Sequence, residues 1–362
     1  MTELDKAREI INEVDKELGK LFEKRMDAVR MVARYKKEHG LPVLNAGREE
    51  QVIERNLKNI TDDDYKPYYT SFLKNNMELA KNFQHRLLDG MRVAFSGVKG
   101  AFADIVAKRI FPDANRIGYP DFKSAYNAVE NGECDCVLLP IENSFNGDVG
   151  QVMDLAFFGK LHINGVYEAE IVQNLLAVKG ATIEDICEVT SHPQALGQCA
   201  SFIEKHGFKQ IEAENTAIAA SEVAKSGRKD IAAIASEDAA ERFGLSVLQS
   251  HINQSSANTT RFAVFSLSPK MPEPSDERFI ILFTVKHTAG SLGKAISVIG
   301  DHNFNLLSLK SRPAKDHIWN YYFYVEGEGN IGSENGKKML KSLSECCSDL
   351  KIIASFEKEF KV

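Results

Sequence analysis

The stretch LDKAREIINEVDKELGKLFEKRMDAVRMVARYK, residues 4–36, repeats apolar residues every seven positions. Leu4, Ile11, Leu18 and Val32 hold one seam position, and Ala7, Val14, Leu21, Ala28 and Tyr35 hold the other. That spacing predicts one long amphipathic helix with a packed seam. Arg25 falls on the seam, in register with Leu18 and Val32. A buried guanidinium without a partner is costly, so something anionic is expected to meet it. Lys36 lies eleven residues on; at ~100° per residue that is about three turns plus 20°, so it faces the same way roughly 16 Å along the axis. Two cations on an apolar seam fit a pocket for a small polyanion. The plainer alternative is an arginine that snorkels or pairs with an internal carboxylate.

The chain has 362 residues, enough for two or three domains with their own cores. A net charge of −6 argues against nucleic acid as a partner. No run reaches the length of a membrane span, and no basic-then-apolar leader follows Met1. The six cysteines (Cys134, Cys136, Cys187, Cys199, Cys346, Cys347) have no zinc-site spacing and no Cys-x-x-Cys. A reduced cytoplasmic enzyme, without structural metal or membrane partner, is the expectation.

Three segments emerge. Residues 1–89 contain no strand-like run. Thr2 with Asp5 resembles a capping box, and His39-Gly40-Leu41-Pro42 closes the first helix. A second helix is expected over about 45–60 and a third over about 64–88, with Asn76, Ala80 and Gln84 on one face. Three helices, one of them very long, make a thin unit, so an intertwined dimer is predicted. From Met91 the pattern turns to strand–helix alternation, as for two small lobes with a cleft (residues 91–268). A proline-rich linker, 268–276, precedes a compact tail (277–362) with the ferredoxin-like order βαββαβ.

In the middle segment Pro140-Ile141-Glu142-Asn143 ends a buried strand, where side chains meet the cleft of an α/β sheet. Its alternative is a turn at Asn143-Ser144. Ser191-His192-Pro193-Gln194 follows another strand; Ser191 with Gln194 reads as a capping box, beside helix-start amides able to hold carboxylate. Gln198 lies one turn along that helix, and Asn215-Thr216 opens another. Asn258-Thr259-Thr260-Arg261-Phe262 combines hydroxyls and a cation at a strand entry. Gly97-Val98-Lys99-Gly100 is a tight turn before a helix.

Taken in order, these motifs resemble the bifunctional chorismate mutase–prephenate dehydratase family, over essentially the whole chain. The resemblance implies catalytic roles for Arg25, Lys36 and Gln84 in the mutase portion. Arg8, Asn45, Arg48 and Glu49 would bind substrate there, with Arg8 serving the partner subunit's pocket. In the dehydratase portion it implies Thr260 as the catalytic hydroxyl, with Glu142, Asn143, Ser191, Gln198, Thr216 and Arg261 around the substrate. Ala289-Gly290-Ser291-Leu292 and Lys310-Ser311-Arg312-Pro313 resemble the two phenylalanine-binding motifs of ACT domains. They make Gly290, Ser291, Leu292, Ser311, Arg312 and Pro313 effector candidates. The implied substrates are chorismate and prephenate, the implied effector phenylalanine, the assembly a homo-oligomer (dimer or tetramer), and no cofactor is required. Five departures stand out: Asn45 for aspartate, Ala80 for serine, Val98 for proline, Ala101 for a hydroxyl residue and Lys310 for glutamate.

The competing reading is a non-catalytic, two-lobed aromatic amino acid sensor with a helical dimerisation segment. Arg25, Lys36 and Gln84 speak against it, since a simple seam has no use for them. A prephenate dehydrogenase is disfavoured because no Gly-x-Gly-x-x-Gly follows a strand.

Overall fold

The computed structural model describes residues 2–43, 46–255, 258–314, 321–358 and 360–362. The chain divides into two compact units, 1–92 and 93–362.

The first unit is helical. α1 (Glu3–His39) starts on the expected capping box: Thr2 Oγ1 accepts from Asp5 N at 3.2 Å, and the Asp5 carboxylate accepts from Thr2 N at 2.8 Å. It stops at Gly40, whose φ of 62° suits the left-handed residue that closes a helix. α2 (Ala46–Leu57) and α3 (Lys66–Asp89) follow, and α3 packs against both. α3 begins later than expected. Asp62 caps a 3-10 turn at Asp63–Tyr65, and Pro67 then fits the first α turn, where its missing N–H costs nothing. The heptad seam is uncovered in the single chain: Ile11, Val14 and Leu21 are each 57–61% exposed.

The second unit begins with β1 (Arg92–Ser96), α4 (Phe102–Ile110), β2 (Asn115–Tyr119), α5 (Phe122–Glu130), β3 (Cys136–Asn143), β4 (Gly147–Asp148), α6 (Gly150–Phe158) and β5 (His162–Glu170). The chain then crosses to a second lobe: β6 (Asn174–Ala177), β7 (Glu188–Ser191), α7 (Pro193–Gln198), α8 (Ala200–His206), β8 (Lys209–Glu212), α9 (Thr216–Ser226), β9 (Ile231–Ala235), α10 (Glu237–Phe243) and β10 (Ser246–Gln249). It returns on β11 (Thr259–Ser266), which inserts between β3 and β5. The second lobe has its own sheet, ordered β10-β6-β9-β7-β8. Each lobe buries its own apolar cluster, around Leu139 and Phe265 in one and Leu175 and Ile234 in the other.

The tail runs β12 (Arg278–Thr284), α11 (Ser291–Asp301), β13 (Asn305–Pro313), β14 (Tyr321–Glu328), α12 (Glu334–Ser344) and β15 (Asp349–Phe356). Its antiparallel order β13-β14-β12-β15 is the expected βαββαβ arrangement. Trp319, expected in β14, lies outside the described residues. One face of this sheet packs on α11 and α12 through Phe279, Ile281 and Phe283. The other face, with Ile280, Leu282, Tyr322 and Tyr324, joins the first lobe's core. β15 also pairs with β5 at Ala354 and Ile163, so one sheet runs through both. All six cysteines are free thiols, and no described helix is long and apolar enough to cross a membrane.

Candidate functional site

In the helical unit Arg25 meets no carboxylate among the described residues. Its Nη1 donates to the Asn76 carbonyl at 3.1 Å, beside a cavity of about 720 Å³ that it lines with Leu18, Phe22 and Arg55. The alternative of an internal carboxylate partner is therefore not met among the described residues, where Arg25 has a neutral acceptor. Lys36 Nζ donates to the Val43 carbonyl at 2.6 Å. Burial lowers the Lys36 pKa, the Arg48 cation lowers it further, and Glu49 opposes both. Glu49 in turn pairs with Lys81 at 3.3 Å. Gln84 is buried, its Nε2 on the Ala80 carbonyl at 3.3 Å and its Oε1 without a partner. Arg8 is exposed on α1. Asn45 lies outside the described residues.

The second site is a cleft of about 630 Å³ between the lobes of the second unit. The pairing of β11 with β3 puts Thr260 opposite Asn143 and Arg261 opposite Glu142. Alternate residues on a strand face opposite ways, so each pair has its own side. Asn143 and Thr260 line the cleft. The Asn143 Oδ1 accepts from the N–H groups of Phe145 and Asn146, both at 3.0 Å. That fixes the amide, and its Nδ2 donates to Thr260 Oγ1 at 2.9 Å and to Asn258 Oδ1 at 3.1 Å. Asn258 donates onward to Gln198 Oε1 at 3.0 Å, which also accepts from Gln173 at 3.3 Å. Accepting the Asn143 bond on one lone pair leaves the Thr260 hydroxyl its own hydrogen to donate.

Glu142 and Arg261 do not line the cleft, which corrects the expectation for both. Arg261 donates to Glu142 at 2.9 Å and grips the buried Glu326 of β14 at 2.7 and 3.0 Å. Burial alone would raise the Glu142 carboxyl, but Arg261 and Lys310 outweigh it and hold it below its usual range. Ser191 is also corrected. It is fully buried and donates to the Ile234 carbonyl at 2.6 Å, tying β7 to β9. The cap of α7 is His192, whose Nδ1 accepts from Gln194 N at 3.2 Å. An Nδ1 that accepts leaves the proton on Nε2. Burial lowers the His192 pKa, with Glu212 opposing, which favours that neutral form.

The N-termini of α4, α6, α7 and α9 all open on the cleft, through Ala101, Gly150, His192 and Thr216. No side chain caps α4 or α6. No lysine or arginine is among the described lining residues, which include Asp148 and Glu214, so helix-start amides and dipoles are what this lining offers an anion. The tight turn contributes backbone: Gly97 and Gly100 have φ of 107° and 95°, which a side chain would disfavour, while Lys99 is exposed. Gln173, His192, Gln194 and Asn258 were not expected as site residues. The polar pair Gln173-Asn174 just ahead of the apolar run Leu175-Leu176-Ala177 was the signal available for the first.

In the tail, Ser291, Leu292 and Ser311 line a pocket of about 480 Å³ with Thr288, Tyr321 and Phe323. Gly290, at φ 84°, is the N-cap residue of α11, and Pro313 ends β13. Arg312 points away from this pocket, to Asp154.

Residues 93–270 match the family model described as prephenate dehydratase, and residues 7–85 the one described as chorismate mutase type II. The chain is 30% identical over 370 residues to a bifunctional chorismate mutase/prephenate dehydratase of Aquifex aeolicus (strain VF5), covering 99% of each. It is 32% identical over 320 residues to arogenate dehydratase/prephenate dehydratase 2, chloroplastic, of Arabidopsis thaliana, covering 86% of this chain and 83% of that one. Among solved structures, a quorum quenching acylase, GqqA, aligns with TM-score 0.68 at 28% identity, over 74% of this chain and 97% of that one. The Arthrobacter aurescens prephenate dehydratase in complex with L-Phe aligns with TM-score 0.69 at 24% identity, over 74% and 90%, and bears on the fold alone.

Proposed function

The chain belongs to the family of bifunctional chorismate mutases/prephenate dehydratases, and from that premise we propose how its residues divide the work. It rearranges chorismate to prephenate, then dehydrates and decarboxylates prephenate to phenylpyruvate, in phenylalanine biosynthesis. The functional division is a mutase portion at 1–89, a dehydratase portion at 91–268 and an ACT-type tail at 277–362.

In the mutase portion Arg25 and Arg48 hold the two carboxylates of chorismate. Lys36 and Gln84 donate to the ether oxygen as negative charge builds on it. The buried Gln84 carboxamide, whose Oε1 has no partner, and Arg25, which meets no carboxylate among the described residues, support this reading. The bare heptad seam supports an intertwined dimer in which Arg8 serves the partner's pocket.

In the dehydratase portion Thr260 donates its proton to the departing ring hydroxyl, which leaves as water, and the threonine oxygen regains a proton from solvent. The bond to the ring carboxylate breaks as the hydroxyl leaves; its electron pair aromatises the ring, and carbon dioxide and water are released. Asn143 and Gln198 position Thr260, and the starts of α4, α6 and α9 hold the dianion. The hydrogen bond from Asn143 to Thr260 is the observation that carries this reading. Ser191, Glu142 and Arg261 act from behind the cleft as positioning residues. The pocket around Ser291 and Ser311 takes phenylalanine as a feedback effector, and free thiols throughout favour a cytoplasmic setting.

The test is direct. Purified protein given chorismate and no added cofactor forms phenylpyruvate; Thr260→Ala stops at prephenate. Phenylpyruvate formation by that variant contradicts the assignment.

A further inference from the structure

β13 presents different residues to two places. On one face Ser311 lines the tail pocket. On the other, Lys310 and Arg312 reach to the first lobe. Lys310 Nζ lies 3.2 Å from Glu142 and is bonded to Asp148, with its side chain 18% exposed. Arg312 grips Asp154 with bonds of 2.8 and 3.2 Å, and the Tyr322 hydroxyl donates to the same carboxylate at 2.8 Å. Asp148 and Gly150 are themselves cleft residues. A Cβ on Gly150 would collide with the Arg312 guanidinium, so the segment from Asp148 to Gly150 is a thin wall. The cleft lies on one side of it and the two cations on the other. Glu142, held by Lys310, directly precedes the Asn143 that fixes Thr260.

We infer that Lys310 is a positioning residue that fastens β13 to the cleft wall, so that occupancy of the Ser311 pocket is relayed to the dehydratase site along this strand. The inference rests on the dehydratase and phenylalanine readings above. An acidic residue at this position, as the resembling motif has, would face Glu142 and Asp148 and repel both. Relay requires that the effector bind two arrangements of β13 unequally. A fastening that differs between them supplies that inequality.

The test uses the full chain, with dehydration of supplied prephenate and mutase activity measured on one preparation. Lys310→Glu lowers dehydratase kcat/KM at least about fivefold, mainly through KM, and leaves mutase activity within about twofold. The exchange Lys310→Glu with Asp148→Lys recovers at least about half of that loss, which a defect unrelated to the Lys310–Asp148 pair does not allow. In a second arm Lys310→Met binds phenylalanine within about twofold of the parent by calorimetry. Saturating phenylalanine then leaves it at least about threefold more residual activity. A Lys310→Glu enzyme within about twofold of the parent, or a loss the exchange does not relieve, overturns the inference. So does full inhibition of Lys310→Met. A parent enzyme that neither binds nor responds to phenylalanine defeats the effector reading instead, and the first arm alone then decides the fastening.

Discussion

Thr260 is a weak acid on its own, and its proposed role as a donor depends on what the hydroxyl oxygen accepts. Asn143 is locked by two backbone N–H groups, so its amide donates to Thr260 and turns the hydroxyl's hydrogen outward. Positioned proton donation contributes about 10²- to 10⁴-fold, so Thr260→Ala should lower dehydratase kcat by that range while Thr260→Ser keeps most of it. Steady-state kinetics on prephenate checks both. Lys36 gives a pH prediction. Its pKa is lowered, by burial first and by Arg48 second. In its proposed role Lys36 donates as the protonated amine, so mutase kcat/KM should fall as pH rises through a value below the ordinary 10.5. An alkaline limb at or above 10.5 would contradict a catalytic Lys36. Thr260 and Asn143 were legible because hydroxyl and amide sit at strand ends in recognisable motifs. Glu142 and Arg261 were misplaced because strand neighbours face opposite ways, so neither shares a face with the adjacent Asn143 or Thr260. Their partner Glu326 lies on a distant strand of the tail.

At the scale of elements, α1 was the most legible part of the chain. Seven-residue spacing, a capping box and a closing glycine all mark it, and Glu3–His39 matches closely. The start of α7 was misread. Ser191 with Gln194 fits a capping pattern, yet His192 takes the cap because Ser191 is drawn into the β7–β9 pairing. The exposed seam of α1 carries its own prediction. Leu21→Glu places a charge amid Val14, Leu18 and Ala28, and should convert a dimer to a monomer. Sedimentation velocity should show the change, with mutase activity lost and dehydration of supplied prephenate retained. An unchanged sedimentation coefficient would remove the seam from the interface.

At the scale of the whole molecule, the tail's sheet is sandwiched between its own helices and the first lobe. A chain cut near Lys270 would strip Tyr322 from the Phe157 ring it stacks on at 4.2 Å, so regulation is better tested in the intact protein. This was not legible in the sequence, where a proline-rich linker points to an independent domain. Asp276 anchors that linker. Burial would raise its carboxyl, but the Ser355 hydroxyl at 2.6 Å, the Glu273 N–H and Lys270 lower it below the ordinary 3.8. A depressed carboxylate stabilises the fold above its unfolded value, and that stability is lost as pH falls through the folded value. Asp276→Asn should therefore cost about 2 kcal/mol at neutral pH, from hydrogen bonds to a charged group, and flatten the acid limb of a denaturation series.

The central claim is that one chain performs two successive reactions at two separate sites. Product analysis after adding chorismate to the Thr260→Ala and Arg25→Ala enzymes tests it most directly. Thr260→Ala should convert chorismate to prephenate and stop, while Arg25→Ala should leave chorismate intact yet still turn supplied prephenate into phenylpyruvate. Loss of both reactions in either folded variant would contradict it.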